Sequence, residues 1–381
     1  MPLCHYCSVR VVFVNRYFHP DHSATSQMLS DLSFHLAEGG WRVEVVTSRQ
    51  RYDDSSAGLA SHETVRGVVV HRVWSTRFGR GFLPGRAIDY ATFYASAFFA
   101  LARRAARNST IIALTDPPLI SVVAAIAAML RRATLINWTQ DVFPEVAEAL
   151  GMRALRVLRR VRDWSLRRAK VNVALGDLMA ARLPHAAVIH NWADASLHPV
   201  DVPHSRFVVG YSGNLGRAHD ARTMLAAIRA LRDDDGIEFA VTGGGAQFES
   251  LREEQLPNVR FAGYAPRQQL SESLSSADAH LVTLLPSLEG LIVPSKFYGI
   301  LAVARPVLFI GARDGELARI IQSHACGFII EPGDGEELAR RIRELAGDRD
   351  RARAIGLRGR RLFEERFAPH IAFAAWERVL T

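Results

Sequence analysis

A carboxylate, a hydroxyl and an ammonium share one loop: Glu289, Ser295 and Lys296, punctuated by Pro286, Gly290 and Pro294. The apolar run Ala279–Leu285 before them reads as a buried strand, and a helical pattern opens at Lys296. A loop that ends on a helix start presents unpaired backbone N–H groups and partial positive charge to an anion. Ser295 adds a hydroxyl donor and Lys296 a full charge, while Glu289 can accept protons from sugar hydroxyls. That set suits a diphosphate carrying a sugar. The plainer alternative is a strand-to-helix turn with solvated charges.

A second stretch repeats the logic. The run 207–212 is followed by Gly213, Asn214, Gly216 and Arg217, and a helix begins at Ala221. Strand, glycine turn and helix together form a phosphate-binding geometry, in which Arg217 could fork onto phosphate oxygens. Further candidates stand at strand ends: Gly243 and Gly244, Tyr264 after Gly263, and Glu316 after Gly315. In the first half, His22, Ser23 and Ala24 follow the opening strand, where Ser23 serves either as a helix cap or as a phosphate donor. Asp141 ends the strand 134–138 and is either a cap or a ligand group.

These residues must be carried by alternating strands and helices. Strands are read at 10–15, 41–47, 68–73, 110–114, 134–138, 171–175 and 187–189 in the first half, and at 207–212, 238–242, 259–261, 279–285, 307–310 and 327–330 in the second. Such βα repetition requires parallel sheets with binding loops at the strands' carboxyl ends. The expected fold is therefore α/β, two facing Rossmann-like domains. Residues 1–200 form the first domain and 205–368 the second, with a linker at 195–205 and a helix at 369–381 that packs back on the first domain.

Composition narrows the classes. With 381 residues, 49% of them hydrophobic and 23% charged, the chain is globular and long enough for two cores. The apolar stretch 111–130 is broken by Asp116, Pro117 and Pro118, so it is not a membrane span. Cys4, Cys7 and Cys326 are too few for a disulfide framework, and Cys4 with Cys7 is read as an incidental tail. No signal-peptide pattern opens the chain, so the expected location is the cytoplasm, with possible peripheral contact at the inner face of the membrane. The net charge of +8 comes from arginines concentrated in a few helices without interleaved aromatic residues, which argues against nucleic acid. The densest, 153–168, reads as an amphipathic helix whose basic face is either merely solvated or lies on anionic lipid.

With both halves placed, the chain resembles retaining GT-B glycosyltransferases of glycosyltransferase family 4, especially those of bacterial exopolysaccharide and O-antigen assembly. The resemblance runs from 17–21 and 36–43 through 139–144 and 212–217, and is strongest at 293–298 and 302–307. It implies transfer of a hexosyl or N-acetylhexosaminyl group from a nucleotide-diphosphate sugar, UDP by family frequency, to a lipid-linked or saccharide acceptor. The donor would lie in the second domain's loops and the acceptor on the first. Of the family's usual pair of glutamates, Glu289 matches the first, which meets the donor sugar. Gly299 falls at the second, which holds the ribose, and Glu316 is the candidate replacement.

Asn214 occupies a usually basic position, which moves the phosphate role to Arg217 and Lys296, aided by the amides of Gly213 and Gly290. Gln140 stands where a histidine is common, and beside it Asp141 would position or deprotonate the acceptor. No Asp-x-Asp pair lies in a suitable loop, so neither a metal nor any cofactor beyond the donor is expected. The rivals are a nucleotide-sugar epimerase of similar shape and a basic membrane- or nucleic-acid-binding module.

Overall fold

The computed structural model describes residues 10–79 and 83–381, so Cys4 and Cys7 lie outside the described residues. The chain divides into two compact units: Met1–Ile189 with Phe373–Thr381, and His190–Ala372. The crossover comes ahead of the expected linker because this segment already belongs to the second unit. His190 meets Phe367 edge-on at 5.2 Å, and Asp194 pairs with Arg267.

The first unit holds β1 (Arg10–Val14), β2 (Arg42–Ser48), β3 (His62–Val65), β4 (Val68–Val73), β5 (Ser109–Ala113), β6 (Thr134–Trp138), β7 (Val171–Ala174) and β8 (Ala186–Val188). They form one sheet in the order β3-β4-β2-β1-β5-β6-β7-β8. All neighbours run parallel except β3, which pairs antiparallel with β4. β3 was not expected, since its burial alternates and it lies at the sheet's edge. The central strands carry β-branched residues on both faces, and Val11, Val12, Phe13 and Val14 are wholly buried. Each such side chain contributes about 1.5–3 kcal/mol. The carboxy-terminal helix Pro369–Leu380 sets Trp376 against Trp138 with ring centres 4.8 Å apart, and Glu377 against His35 at 3.0 Å.

The second unit holds β9 (Phe207–Asn214), β10 (Ile237–Gly244), β11 (Val259–Ala262), β12 (Ala279–Thr283), β13 (Val307–Ile310) and β14 (Gly327–Ile330). Their order is β11-β10-β9-β12-β13-β14, every pair parallel. The strand order reverses between β9 and β12. In an open parallel sheet the crevice at such a reversal is where ligands settle. The two loops singled out in the sequence are the ones that leave β9 and β12. The topology thus brings together segments some seventy residues apart: the Leu285 N–H donates to the Ala218 carbonyl at 3.0 Å.

The helices depart from the sequence pattern in three informative ways. The arginine-rich segment is a 3-10 turn, Arg153–Leu158, followed by a helix, Arg159–Arg168, rather than one continuous helix. The helix Ile120–Arg131, from the apolar stretch 111–130, covers the sheet with its alanines but leaves Ile126, Met129 and Leu130 exposed. The helix that opens at Lys296 is seven residues long, Lys296–Ala302, and Ser295 makes no side-chain capping bond. So short a helix has little macrodipole, and positive charge at this end rests on the Lys296 side chain itself.

Candidate active site

β9 and β10 stay in register to their last residues, Gly213 against Gly243 and Asn214 against Gly244. Gly243 has φ +131°, and a Cβ there would lie 2.2 Å from the Gly213 carbonyl oxygen. Only glycine permits this approach. We predict that Gly243→Ala lowers stability by ~3 kcal/mol, read as a shift of the urea midpoint without a change of slope. An unshifted midpoint would mean that the two strand ends part freely.

Above this floor stands Lys296. Its Nζ donates to the Tyr211 hydroxyl at 2.5 Å and lies 3.9 Å from the centre of the Tyr211 ring. A Cβ built on Gly213 would be 3.7 Å from the same nitrogen. The Tyr211 hydroxyl in turn donates to the Asn214 carbonyl at 3.0 Å. A phenol oxygen and a ring face compensate an ammonium only in part. Burial accordingly pushes Lys296 down to about 7.

His219 closes the group. Its Nδ1 lies 2.8 Å from the Thr283 carbonyl and its ring meets Tyr211 edge-on at 6.2 Å. Burial, followed by the charge of Lys296, pushes it down to about 3, so the ring is neutral with its proton on Nδ1. Tyr211 and His219 were missed in the sequence. An aromatic residue on an apolar strand reads as core, and only the fold places its hydroxyl under Lys296.

Glu289 ends the short turn Pro286–Leu288 and accepts the Glu316 N–H at 3.2 Å. A Cβ on Gly315 would fall 2.3 Å from Glu289 Oε1, so the glycine is what admits the carboxylate. Burial pushes Glu289 up to about 7, the negative charges of Glu316 and Asp314 adding to it, against the opposing Glu316 amide bond. Glu316 itself is buried at the first turn of the helix Glu316–His324. A side chain at Gly299 would start toward Leu274 and Leu197, at 3.5 and 3.7 Å, so that position opens onto apolar neighbours. The carboxylate beside Glu289 is that of Glu316, at the start of the helix that follows β13.

Tyr264 is exposed and lies beside Gly244, where an added Cβ would be 3.5 Å from its ring. Gly290, with φ +71°, directly follows Glu289. Arg217, by contrast, is exposed and has no hydrogen bond or ion pair among the described residues. The structure therefore gathers Gly213, Asn214, Gly243, Gly244, Tyr264 and Lys296 at one end of the sheet, with Glu289, Gly290 and Glu316 on the loops after β12 and β13.

In the first unit, Asp141 lines a small pocket at the carboxyl ends of β5 and β6 with Thr115, Asn137 and Thr139. Asp141 is exposed, yet the protein around it, and then the charge of Asp116, push its carboxyl up to about 6. Ser23 does not cap the helix Ala24–Glu38 with its side chain. Its hydroxyl and N–H both go to Asp21 Oδ1, at 2.5 and 2.8 Å, because the buried Asp21 folds the loop back on itself. His22 on this loop and Ala24 at the helix start are exposed. Among the described residues, no three of His, Cys, Asp and Glu gather where they could hold a metal ion.

Two α/β units with parallel-dominated sheets, one with glycine strand ends and a half-buried lysine at its switch point, have the GT-B class of fold. Solved structures share it across the chain. Sucrose-phosphate synthase from Thermosynechococcus elongatus superposes with a TM-score of 0.77 at 16% identity, over 97% of this chain and 98% of that one. HepE of Anabaena, solved in complex with UDP and glucose, gives 0.70 at 17% identity, over 97% and 99%. Residues 206–348 match the family model described as glycosyl transferases group 1. The probable glycosyltransferase WbjE of Pseudomonas aeruginosa is 30% identical over 275 residues, 64% of this chain and 68% of that protein. The putative colanic acid biosynthesis glycosyl transferase WcaI of Escherichia coli is 28% identical over 169 residues, 43% and 41% respectively. The chain belongs to the group 1 glycosyltransferases.

Proposed function

We propose that the chain moves a hexosyl or N-acetylhexosaminyl group from a UDP-sugar, with retained anomeric configuration, to a saccharide or lipid-linked acceptor in bacterial cell-surface polysaccharide assembly. The observation that carries this reading is the Lys296 ammonium set between Tyr211 and Gly213 at the β9/β12 reversal. The likeness to the glycosyltransferase WbjE supports the reaction class, the colanic acid biosynthesis of WcaI supports a polysaccharide product, and the UDP and glucose held by HepE support the class of donor.

The chemistry follows from charge. Breaking the sugar–phosphate bond leaves negative charge on the departing diphosphate, and preorganised donors aimed at that charge lower the barrier most. Lys296 and the amides of the Gly213 and Gly290 turns supply them. Glu289 accepts from hydroxyls of the donor sugar, Glu316 serves the ribose side, and Tyr264 flanks the nucleotide. Asp141, raised to about 6, positions or deprotonates the acceptor hydroxyl.

The reading is tested with purified protein, UDP-, GDP- and ADP-sugars and a soluble saccharide acceptor. A UDP-sugar should raise the melting temperature most, and NMR of the product should show the donor's anomeric configuration. Turnover of the donor to a rearranged sugar without acceptor would instead indicate an epimerase. Cationic side chains carry the leaving charge in this scheme, so EDTA should leave the rate unchanged. A chelator-sensitive rate restored by Mg²⁺ would overturn that part.

A further inference from the structure

β5 and β6 pair in parallel with Ala113 opposite Asn137, and β6 pairs with β7 with Asn137 opposite Asn172. Side chains two apart along a strand share a face. Ala113, Thr115, Asn137 and Thr139 accordingly line one pocket, and Asp141 lines it with them. Because Ala113 is small, a cavity of about 30 Å³ remains. That is two to three times the roughly 10–15 Å³ that a single water needs.

Two polar atoms at this pocket have no partner. Asn172 gives its Nδ2 hydrogens to the carbonyls of Leu166 and Pro184, at 3.0 and 2.6 Å, so its Oδ1 accepts from Asn137 Nδ2 at 2.8 Å. This fixes the Asn137 amide and leaves its own Oδ1 unsatisfied, on a residue only 2% exposed. The Thr115 hydroxyl is buried and unsatisfied as well. Ser121 and Arg162, also at the pocket, are committed elsewhere, the first to Ser165 and the second to Asp163, Glu145 and the Phe143 carbonyl. Buried polar atoms without partners are rare in folded proteins. An obligate acceptor and a hydroxyl left open at one cavity call for a group that both donates and accepts. The rest of the wall is apolar, from Leu119, Phe143, Leu166 and Leu183. Leu119 is held there at φ +67°, a backbone conformation that leucine rarely adopts.

We propose that this pocket takes the acetamido group of an N-acetylated sugar in the acceptor. The amide N–H donates to Asn137 Oδ1, the amide carbonyl accepts from the Thr115 hydroxyl, and the methyl group lies against the leucines and Phe143. A plain sugar hydroxyl would leave that apolar wall uncovered, and so would a pair of waters. The inference rests on the reading of Asp141 as the acceptor-side group, and it adds which substituent the acceptor carries beside it.

The test is saturation-transfer NMR and titration of the full chain, with and without UDP. The probes are the p-nitrophenyl glycosides of N-acetylglucosamine and N-acetylgalactosamine, compared with those of glucose and galactose. The acetamido sugars should bind at least about tenfold tighter than their parents, because the parents leave the polar atoms of the pocket unpaired. Their methyl protons should receive the strongest saturation. Thr115→Val, which removes the hydroxyl at nearly constant shape, should lower the preference about five- to tenfold, with the melting temperature and the parents' affinity unchanged. Equal affinity for both kinds of sugar would overturn the inference, as would binding of none of them or a Thr115→Val effect shared by all four. Binding is read without transfer, so an acetamido preference in a chain that transfers no sugar would overturn the reaction proposed above and leave the acetamido pocket standing.

Discussion

Lys296→Ala lowers kcat/KM for sugar transfer by about a hundred- to a thousandfold, the cost of removing one donor aimed at developing negative charge. The fold survives the change, because the side chain's strongest tie is the bond to the Tyr211 hydroxyl and its charge is poorly compensated. Stability as a function of pH separates this from a structural role. The folded-state value of about 7 lies below the 10.5 of a free lysine, so the unfolded chain binds more protons between the two. Wild-type stability therefore rises with pH across that window relative to Lys296→Met. Binding has the opposite dependence. An anion needs the protonated amine, so UDP affinity weakens above pH about 7 in the wild type and not in the variant. Titration calorimetry in buffers of different ionisation enthalpy reads the proton taken up with UDP. A variant with unchanged turnover, or UDP binding without proton uptake near pH 7, would remove Lys296 from the phosphate site.

Glu289→Gln should cut kcat/KM about ten- to a hundredfold, the worth of a hydrogen bond to a charged group, with the donor's KM and kcat moving together and acceptor affinity unchanged. The same substitution should raise the melting temperature near neutral pH. Glu289 shares a loop cluster with Glu316 and Asp314, and its carboxyl is pushed up to about 7. A carboxyl raised above its unfolded value of 4.5 stabilises the fold fully below that value and loses this contribution as pH climbs toward 7. The wild type should thus lose stability relative to the glutamine variant between those limits. The price of a strained carboxylate is retained where function requires it. If only acceptor affinity falls, or the melting temperature drops, Glu289 is a structural or acceptor-side group.

Much of the architecture was legible in the chain because its strands are short β-branched runs separated by helical periods. That alternation permits parallel sheets and little else. The edge strand His62–Val65 was not legible, since a half-exposed strand has no continuous apolar run. The division at Ile189 falls ahead of the stretch 195–205 that reads as a linker, a Pro/Asp-rich run that looks the same whether or not its neighbours pack.

The candidate site divides in the same way. Glu289, Lys296 and the glycines announced themselves by type and spacing, as chemistry-bearing residues at the ends of strands. The partners that tune them did not. Tyr211 lies far from Lys296 in sequence, and Glu316 reaches Glu289 from the loop after another strand. Arg217, beside Gly216, keeps its guanidinium exposed and without a partner among the described residues. Local sequence by itself determined which residue types stand at the carboxyl ends of which strands. Strand order alone decided which of those ends become neighbours, because pairing in a parallel sheet is a long-range choice made by the packing of both faces, and that choice sets the burial and charge around Lys296 and Glu289.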